Sequence, residues 1–295
     1  MDAKVKPAFV RAAEDIGNII LLEHVNVTHQ DQRLATLFYV GALGGTRDPY
    51  LHVLDNNMWV NFGRQQFHMP TRPVQVLRGR TGVVVPDLDA LRGRLAMIKP
   101  RLEGTKFDYT DHGTHVDAIC PWGNHVRVHA PAAAFGRMQV GIPYVEFSVP
   151  RGTAKGIVRF YDRVMQAPGH VETTGGETAA HVCFGVDQEV IFRETATPIP
   201  AYDGHHIAIY VANFSGPHDW LDARGLITEE SDPWQYRFVD IVDPDANDPK
   251  AVLFKIEHEV RSLTHPLYAR PLINRNPDQS NNAYIRGQDS FRGTY

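Results

Sequence analysis

The stretch DGHHIAIYVANFSGPHDWLDARG, from Asp203 to Gly225, contains the order of elements on which the fold depends. Two adjacent histidines, His205 and His206, open a run that alternates like a β-strand, and a short loop then leads into a helix-like segment. Because successive side chains of a strand point to opposite faces, the two histidines cannot face the same side. The stretch therefore predicts a strand followed by a short helix, with one histidine on each face.

The same order of elements recurs along the chain. RGRTGVVVPDLDALRGRL, from Arg78, also runs from a strand straight into a short helix. EHVNVTHQDQRLATLFYVGALGG, from Glu23, and PYVEFSVPRGTAKGIVRFYDRVMQAPG, from Pro143, each give a strand, a polar break and a helix with an aromatic pair. Hairpin-like segments such as VDAICPWGNHVRVHAP, from Val116, follow these pieces. The repeats predict four βαβββ-like units in an α+β fold.

The arrangement resembles the vicinal oxygen chelate superfamily, which includes glyoxalase I, the type I extradiol dioxygenases and the bleomycin-resistance proteins. The phrases GHHIAIYV and FVDIVDPD…VLFKIE carry the resemblance, which covers about residues 20–260. It implies tandem βαβββ modules paired into two domains, each a curled mixed sheet with helices outside. We expect an N-terminal glyoxalase-like domain without metal at 18–131, a C-terminal glyoxalase-like domain with the metal at 140–262, and a C-terminal extension at 263–295.

In this superfamily, side chains from separate strands hold a divalent metal inside the curled sheet. The resemblance places the family's ligand positions on four strands of each half. In the N-terminal half these positions fall on His24, Gln66 or His68, Arg80 and Arg127. In the C-terminal half they fall on Tyr144 or Glu146, Phe192 or Glu194, His206, and Glu257 or Glu259.

The two halves differ in the charge that these positions carry. Arginine cannot ligate a cation, so Arg80 and Arg127, expected to face His24, argue against a metal in the N-terminal half. The metal is therefore predicted in the C-terminal half, with ligands His206, Glu257 and Glu146. His205 is then expected to be a partly exposed histidine on the opposite strand face.

The extradiol pattern of two histidines and one carboxylate is incomplete in this sequence, because Tyr144 stands where the first histidine is expected. The alternatives are that Glu146 or Glu194 completes the site, that Tyr144 itself ligates, or that the metal is lost. The predicted catalytic groups are Tyr144, Glu194 and His258. His258 opens a tail rich in histidine, tyrosine and arginine that could close over the site or pack on the outside.

The resemblance implies a metal-dependent enzyme acting on a small substrate that chelates the metal through two neighbouring oxygens. Fe(II) is the first choice of metal, with Mn, Zn or Ni as alternatives. We expect a ring-cleaving-dioxygenase-like oxidoreductase. A glyoxalase-like lyase or isomerase and a metal-free protein that binds small molecules remain open as alternatives.

The overall composition limits the possible partners and the location. The formal net charge is −4 and no block of basic residues is present, which excludes nucleic acid as an expected partner. Two widely spaced cysteines predict neither a disulfide framework nor a thiolate metal site. Charges interrupt the apolar N-terminal residues, so we expect a cytoplasmic protein without a membrane segment. A homodimer is expected as the commonest assembly.

Overall fold

The computed structural model describes residues 10–48, 51, 56–248 and 251–273, which form four successive βαβββ units. The first contains β1 (Ile19–Asn26), α1 (Gln32–Ala35), β2 (Thr46–Arg47), β3 (Asn57–Phe62) and β4 (Gln65–Pro70). The second contains β5 (Gly79–Val84), α2 (Leu88–Ile98), β6 (Asp108–Asp111), β7 (His115–Ile119) and β8 (His125–His129). The third contains β9 (Gly141–Pro150), α3 (Ala154–Phe160), β10 (Gly169–Thr174), β11 (Glu177–Gly185) and β12 (Gln188–Thr195). The fourth contains β13 (His206–Val211), α4 (Ser215–Asp222), β14 (Ile227–Asp232), β15 (Gln235–Val242) and β16 (Val252–Ser262).

Aspartate side chains cap the first turns of α1 and α2. Asp31 precedes α1, and its carboxylate accepts hydrogen bonds from the backbone N–H groups of Arg33 and Leu34. Asp87 caps α2 in the same way. Such caps satisfy N–H groups that have no partner within the helix. Short 3-10 helices occupy Arg11–Glu14, Lys99–Arg101 and Ala133–Phe135.

The two helices with aromatic pairs share a second feature. α1 continues as a wider π-helix at Thr36–Ala42, and α3 continues likewise at Tyr161–Met165. Phe38-Tyr39 lies within the first π-helix, Phe160-Tyr161 spans the start of the second, and both pairs are buried in the hydrophobic core. The recurrence of this local distortion in the first and third units agrees with the internal repeat seen in the sequence.

The units pair as first with fourth and second with third. β1 runs antiparallel to β13 with His24 opposite Ala208, and β5 runs antiparallel to β9 with Gly82 opposite Tyr144. Each pair of units forms one curled sheet. We call the sheet of β1–β4 and β13–β16 the terminal cup, and the sheet of β5–β12 the central cup. A contact between β1 and β11 joins the two cups into one mixed sheet.

The α+β fold of βαβββ units in two curled sheets is thus confirmed, but the partner of each unit differs from the sequence order. The expectation that Arg80 and Arg127 face His24 is wrong, because β5 and β8 belong to the central cup. The domain boundaries 18–131 and 140–262 stay a prediction. In the structure, strands of the first range pair with strands of the second, as β1 does with β13 and β5 with β9.

Alternation along the strands separates the polar interior of each cup from the apolar core. Val25, Phe67 and Ile207 belong to the main hydrophobic core. Their chain neighbours His24 and Gln66 are also buried but polar. This alternation lets one sheet pack apolar side chains on one face and assemble polar side chains on the other. No helix among the described residues is long and apolar enough to cross a membrane.

Candidate metal centre

The first donor of the terminal cup lies beside an irregularity in β1. The register between β1 and β13 shifts between Leu22 and His24, which is the signature of a β-bulge. His24 Nδ1 is 3.1 Å from Glu23 Oε2. Because a carboxylate only accepts, Nδ1 carries the proton, and the Nε2 lone pair is available to a metal.

The second donor is His68 on β4. His68 Nε2 donates to Asn57 Oδ1 at 2.9 Å, which leaves the Nδ1 lone pair available. The imidazole also stacks on Trp59, with ring centroids 3.7 Å apart and planes 13° from parallel. These two contacts fix the orientation of the ring.

The third and fourth donors come from β13 and β16, the strands of the fourth unit. His206 Nδ1 is 3.3 Å from Glu257 Oε1, and His206 Nε2 is 3.5 Å from Glu259 Oε2. Both glutamates lie on the same face of β16, since they are two residues apart. The side chain of Glu259 is 4% exposed, whereas that of Glu257 is 22% exposed, so Glu259 is the inner carboxylate.

The histidines form one cluster. One ring nitrogen from each of His24, His68 and His206 lies within 4.8 Å of the others. Within the described part of the chain, His24 Nε2 and His68 Nδ1 are buried without any hydrogen-bond partner. Burial lowers the pKa of His24 and holds that of His68 well below its usual value. Both rings are therefore neutral at pH 7, the state in which imidazole binds a metal.

Two arginines balance the acidic groups around this cluster. Arg261 pairs with Glu23 at 2.6 Å and also with Glu259. Arg237 pairs with both Glu257 and Glu259. Although burial alone would raise the pKa of Glu259, His206, His24 and Arg261 hold it well below its usual range. The carboxylate is therefore ionised and able to act as a metal ligand.

The donor set fits a divalent transition metal. Three imidazoles and one ionised carboxylate converge from four strands, and His24 Nε2 and His68 Nδ1 are buried without other partners among the described residues. Imidazole suits zinc, iron and nickel, and carboxylates are common companions at such sites. Glu23 and Asn57 orient two of the rings from behind, as groups around protein metal sites commonly do.

The described part of the C-terminal extension packs on the terminal cup. Tyr268 packs on Tyr210 with ring centroids 4.9 Å apart. Arg270 Nη1 donates to Asp48 at 2.8 Å, and Arg270 Nη2 donates to Gln66 at 3.0 Å. A cavity of about 580 Å³ lies under this segment and reaches Glu23. Residues 274–295 of the predicted extension lie outside the described residues.

Of the three predicted metal ligands, the structure brings His206 and Glu257 together but places Glu146 elsewhere. Glu146 lies on β9 in the central cup, where its carboxylate pairs with Arg80 at 3.0 Å and Arg193 at 2.9 Å. Tyr144 lies in the same cup, with its hydroxyl 3.0 Å from His129 Nε2. Burial raises the pKa of Tyr144 to about 12, so this hydroxyl stays protonated.

His258, which is predicted to be catalytic, and His205, which is predicted to be partly exposed, are both buried in structural contacts. His258 is fully buried on the core face of β16, where it stacks on Phe238 and hydrogen-bonds Tyr161 at 2.7 Å. His205 is also fully buried, with Nδ1 2.6 Å from Asp203, so the expectation of partial exposure is wrong. Each of these histidines is next in sequence to a residue that faces the cup, so its own side chain points to the opposite face of the sheet.

Glu194 caps a helix instead of entering the terminal cup. Its Oε1 accepts the backbone N–H of Ala154 at 2.9 Å, at the start of α3. We expect Glu194→Ala to lower the free energy of unfolding by about 1 kcal/mol, because that N–H then loses its partner. Urea denaturation measures the change, with exposed Glu103→Ala as the control. Equal stability of the two variants would contradict the capping role.

Sequence reasoning named His24, His68 and Glu259 as ligand positions but did not select them. The sequence argues against His24 only if the second unit, with Arg80 and Arg127, packs beside the first. The alternation of β16 put Glu257 and Glu259 on the same face, so periodicity could not rank them. The pairing of β1 with β13 brings His24 close to His206, and no local pattern in the sequence predicts that pairing.

The comparison with solved structures shows the fold: the chain has the vicinal oxygen chelate fold. It is similar to the structure of glyoxalase I from Zea mays, with 13% identity over 83% of this chain and 93% of that one and a TM-score of 0.55. It is also similar to a protein from Bacillus subtilis named as a candidate dioxygenase, with 12% identity, coverage of 83% and 86%, and a TM-score of 0.55. At this level of identity the likeness concerns the fold. No family model and no curated protein matches the sequence.

Proposed function

We propose that the protein is a metal-dependent isomerase or lyase whose small substrate binds the metal through two neighbouring oxygens. The observation that carries this proposal is the convergence of His24, His68, His206 and Glu259 from four strands of the terminal cup. Fe(II), Ni(II) and Zn(II) suit this donor set. When bound, the ion would act as a Lewis acid that polarises the substrate oxygens.

The number of protein donors favours isomerisation or lysis over reaction with dioxygen. An octahedral ion has about six coordination positions, and four protein ligands leave two, enough for two substrate oxygens. No position then remains for dioxygen. The proposal therefore depends on His68 being a ligand together with His24, His206 and Glu259.

The residues at the mouth of the cup supply groups for proton movement and orientation. Glu257 is partly exposed, lies 3.3 Å from His206 Nδ1 and pairs with Arg237. It is placed to take a proton from a substrate carbon and return it to the neighbouring carbon, as a general base does. Arg237 would orient an anionic substrate oxygen.

A ring-cleaving-dioxygenase-like oxidoreductase is the second candidate, and one observation favours it. His24, His206 and Glu259 form two histidines and one carboxylate, the donor set of non-haem iron oxygenases. Asn57 and Trp59 fix the His68 ring, and these contacts could hold it back from the ion. With three protein ligands, a position for dioxygen would remain.

Elemental analysis of protein purified without chelator or nickel affinity resin tests the proposal. We expect about one divalent transition-metal ion per chain, reduced to a tenth or less in His206→Ala and Glu259→Gln. Glu146→Gln, in the central cup, is the matched control and should keep the ion. Absence of bound metal, also after incubation with Fe(II), Ni(II) and Zn(II), would overturn the enzyme proposal and favour metal-free binding of a small molecule.

His68→Ala separates the two reactions. Under the first candidate, this variant loses most of its metal, and wild-type protein isomerises or cleaves α-hydroxy ketones as followed by NMR. Under the second, it retains the metal, and wild-type iron protein consumes oxygen with catechols in an oxygen electrode. Retention of metal in His68→Ala together with oxygen consumption would reject the isomerase or lyase.

A further inference from the structure

The central cup encloses a cavity that the proposed metal centre does not use. Its volume is about 540 Å³, within the range of small-molecule sites. Arg80, Arg127 and Glu146 line its polar side, while Tyr109, Ile119 and Ile199 provide apolar surface. Arg78, Asp108 and Asp117 also line it, so the lining contains three arginines and three carboxylates.

The strand registers relate this cavity to the metal centre of the terminal cup. In the terminal cup, β13 places His206 beside Glu257 and Ala208 beside Glu259 on β16. In the central cup, the equivalent strands place Arg80 beside His125 and Gly82 beside Arg127. Arg80 therefore occupies the position of His206, and Arg127 occupies that of Glu259.

The other two donors are replaced as well. His24 lies opposite Ala208, and Tyr144 lies opposite Gly82, so Tyr144 occupies the position of His24. A Cβ atom on Gly82 would come within 2.3 Å of the Tyr144 ring, so the glycine makes room for this side chain. By the same registers, Ile191 on β12 occupies the position of His68. The four metal donors are thus exchanged for one phenol, one alkyl group and two cations.

The arginines keep donors that their carboxylate partners do not use. Arg127 donates through Nε and Nη2 to Asp117 at 2.7 and 2.8 Å, which leaves Nη1 without a partner among the described residues. The closest approach of Arg80 to Glu146 is through Nε, at 3.0 Å. Glu146 also accepts two hydrogen bonds from Arg193, so its charge is shared between two guanidinium groups.

We propose that the central cup binds a small organic carboxylate. The carboxylate would lie at Arg80 and Arg127, and an apolar body would lie against Tyr109, Ile119 and Ile199. A planar guanidinium matches the two oxygens of a carboxylate, and two such groups give charge-assisted hydrogen bonds. The site is separate from the metal centre and does not depend on the proposed reaction.

Calorimetric titration with benzoate tests this site in the full-length protein. We expect one benzoate per chain, with affinity about 10-fold or more higher than for benzamide, its neutral analogue. Arg80→Gln should lower the affinity for benzoate by a similar factor. Glu146 keeps Arg193 as a partner in that variant, so its charge is not left unpaired. Arg127→Gln provides a second variant, since Asp117 keeps His112 at 3.4 Å. Arg33→Gln, exposed on α1, is the charge-matched control.

His206→Ala distinguishes the two cups, because benzoate could also reach a metal. The proposal expects benzoate affinity within about 2-fold of wild type in this variant. Absence of binding up to about 10 mM, equal binding of benzamide, or loss of binding in His206→Ala but not in the arginine variants would overturn the proposal.

Discussion

Replacement of Arg261 by methionine is expected to lower the free energy of unfolding by about 3–5 kcal/mol. Arg261 is 6% exposed and pairs with two buried carboxylates, Glu23 and Glu259. Removing one partner of a buried ion pair leaves charges without compensation, and their desolvation then dominates. Urea denaturation at pH 7 in the presence of chelator measures the loss.

Two further variants show whether the loss of stability comes from the buried carboxylates that are left without a partner. Glu23→Gln combined with Arg261→Met should be less destabilised than the sum of the single changes, by about 1–3 kcal/mol, because the two side chains are in contact. Arg33→Met, on an almost fully exposed arginine, should change stability by about 0.5 kcal/mol at most. A loss below 1 kcal/mol in Arg261→Met would mean that water or local movement compensates the two carboxylates.

The fold could be predicted from the sequence to the level of its repeating unit. Strand alternation, the order of strand, helix and hairpin in each unit, and the helical aromatic pairs are local features, and the structure confirms them. The partner of each unit is not local. The first strands of the four units have similar alternating patterns. The sequence of β1 is therefore equally compatible with pairing to β13 or to β5.

That non-local choice accounts for the errors at the site. His206 was identified because its strand is distinctive, but its neighbours depend on which unit packs beside it. Pairing of β13 with β1 brings His24 and His68 to it, whereas Glu146 goes with β9 to the arginines of the central cup. A bulge at Glu23 also changes which side chains face the cup, and no period-two pattern predicts a bulge.

His258 is expected to make the stability of the protein depend on pH below neutrality. Burial lowers its pKa to about 3, against a usual value of about 6.5 in an unfolded chain. The unfolded state therefore binds more protons, so the stabilisation is complete above about pH 6.5 and is lost as pH falls toward 3. Between pH 7 and pH 5 this one residue accounts for about 2 kcal/mol of lost stability.

The pH dependence is best measured as a difference between two variants. Tyr161→Phe removes the hydroxyl that bonds His258, and Tyr161→Phe with His258→Phe removes the titrating group as well. The loss of stability between pH 7 and pH 5 should be about 2 kcal/mol smaller in the double variant. Replacing the exposed His170 by phenylalanine should leave the loss unchanged. Equal losses in the two Tyr161 variants would mean that His258 takes up a proton in the folded protein as readily as in the unfolded chain, contrary to its burial on the core face of β16.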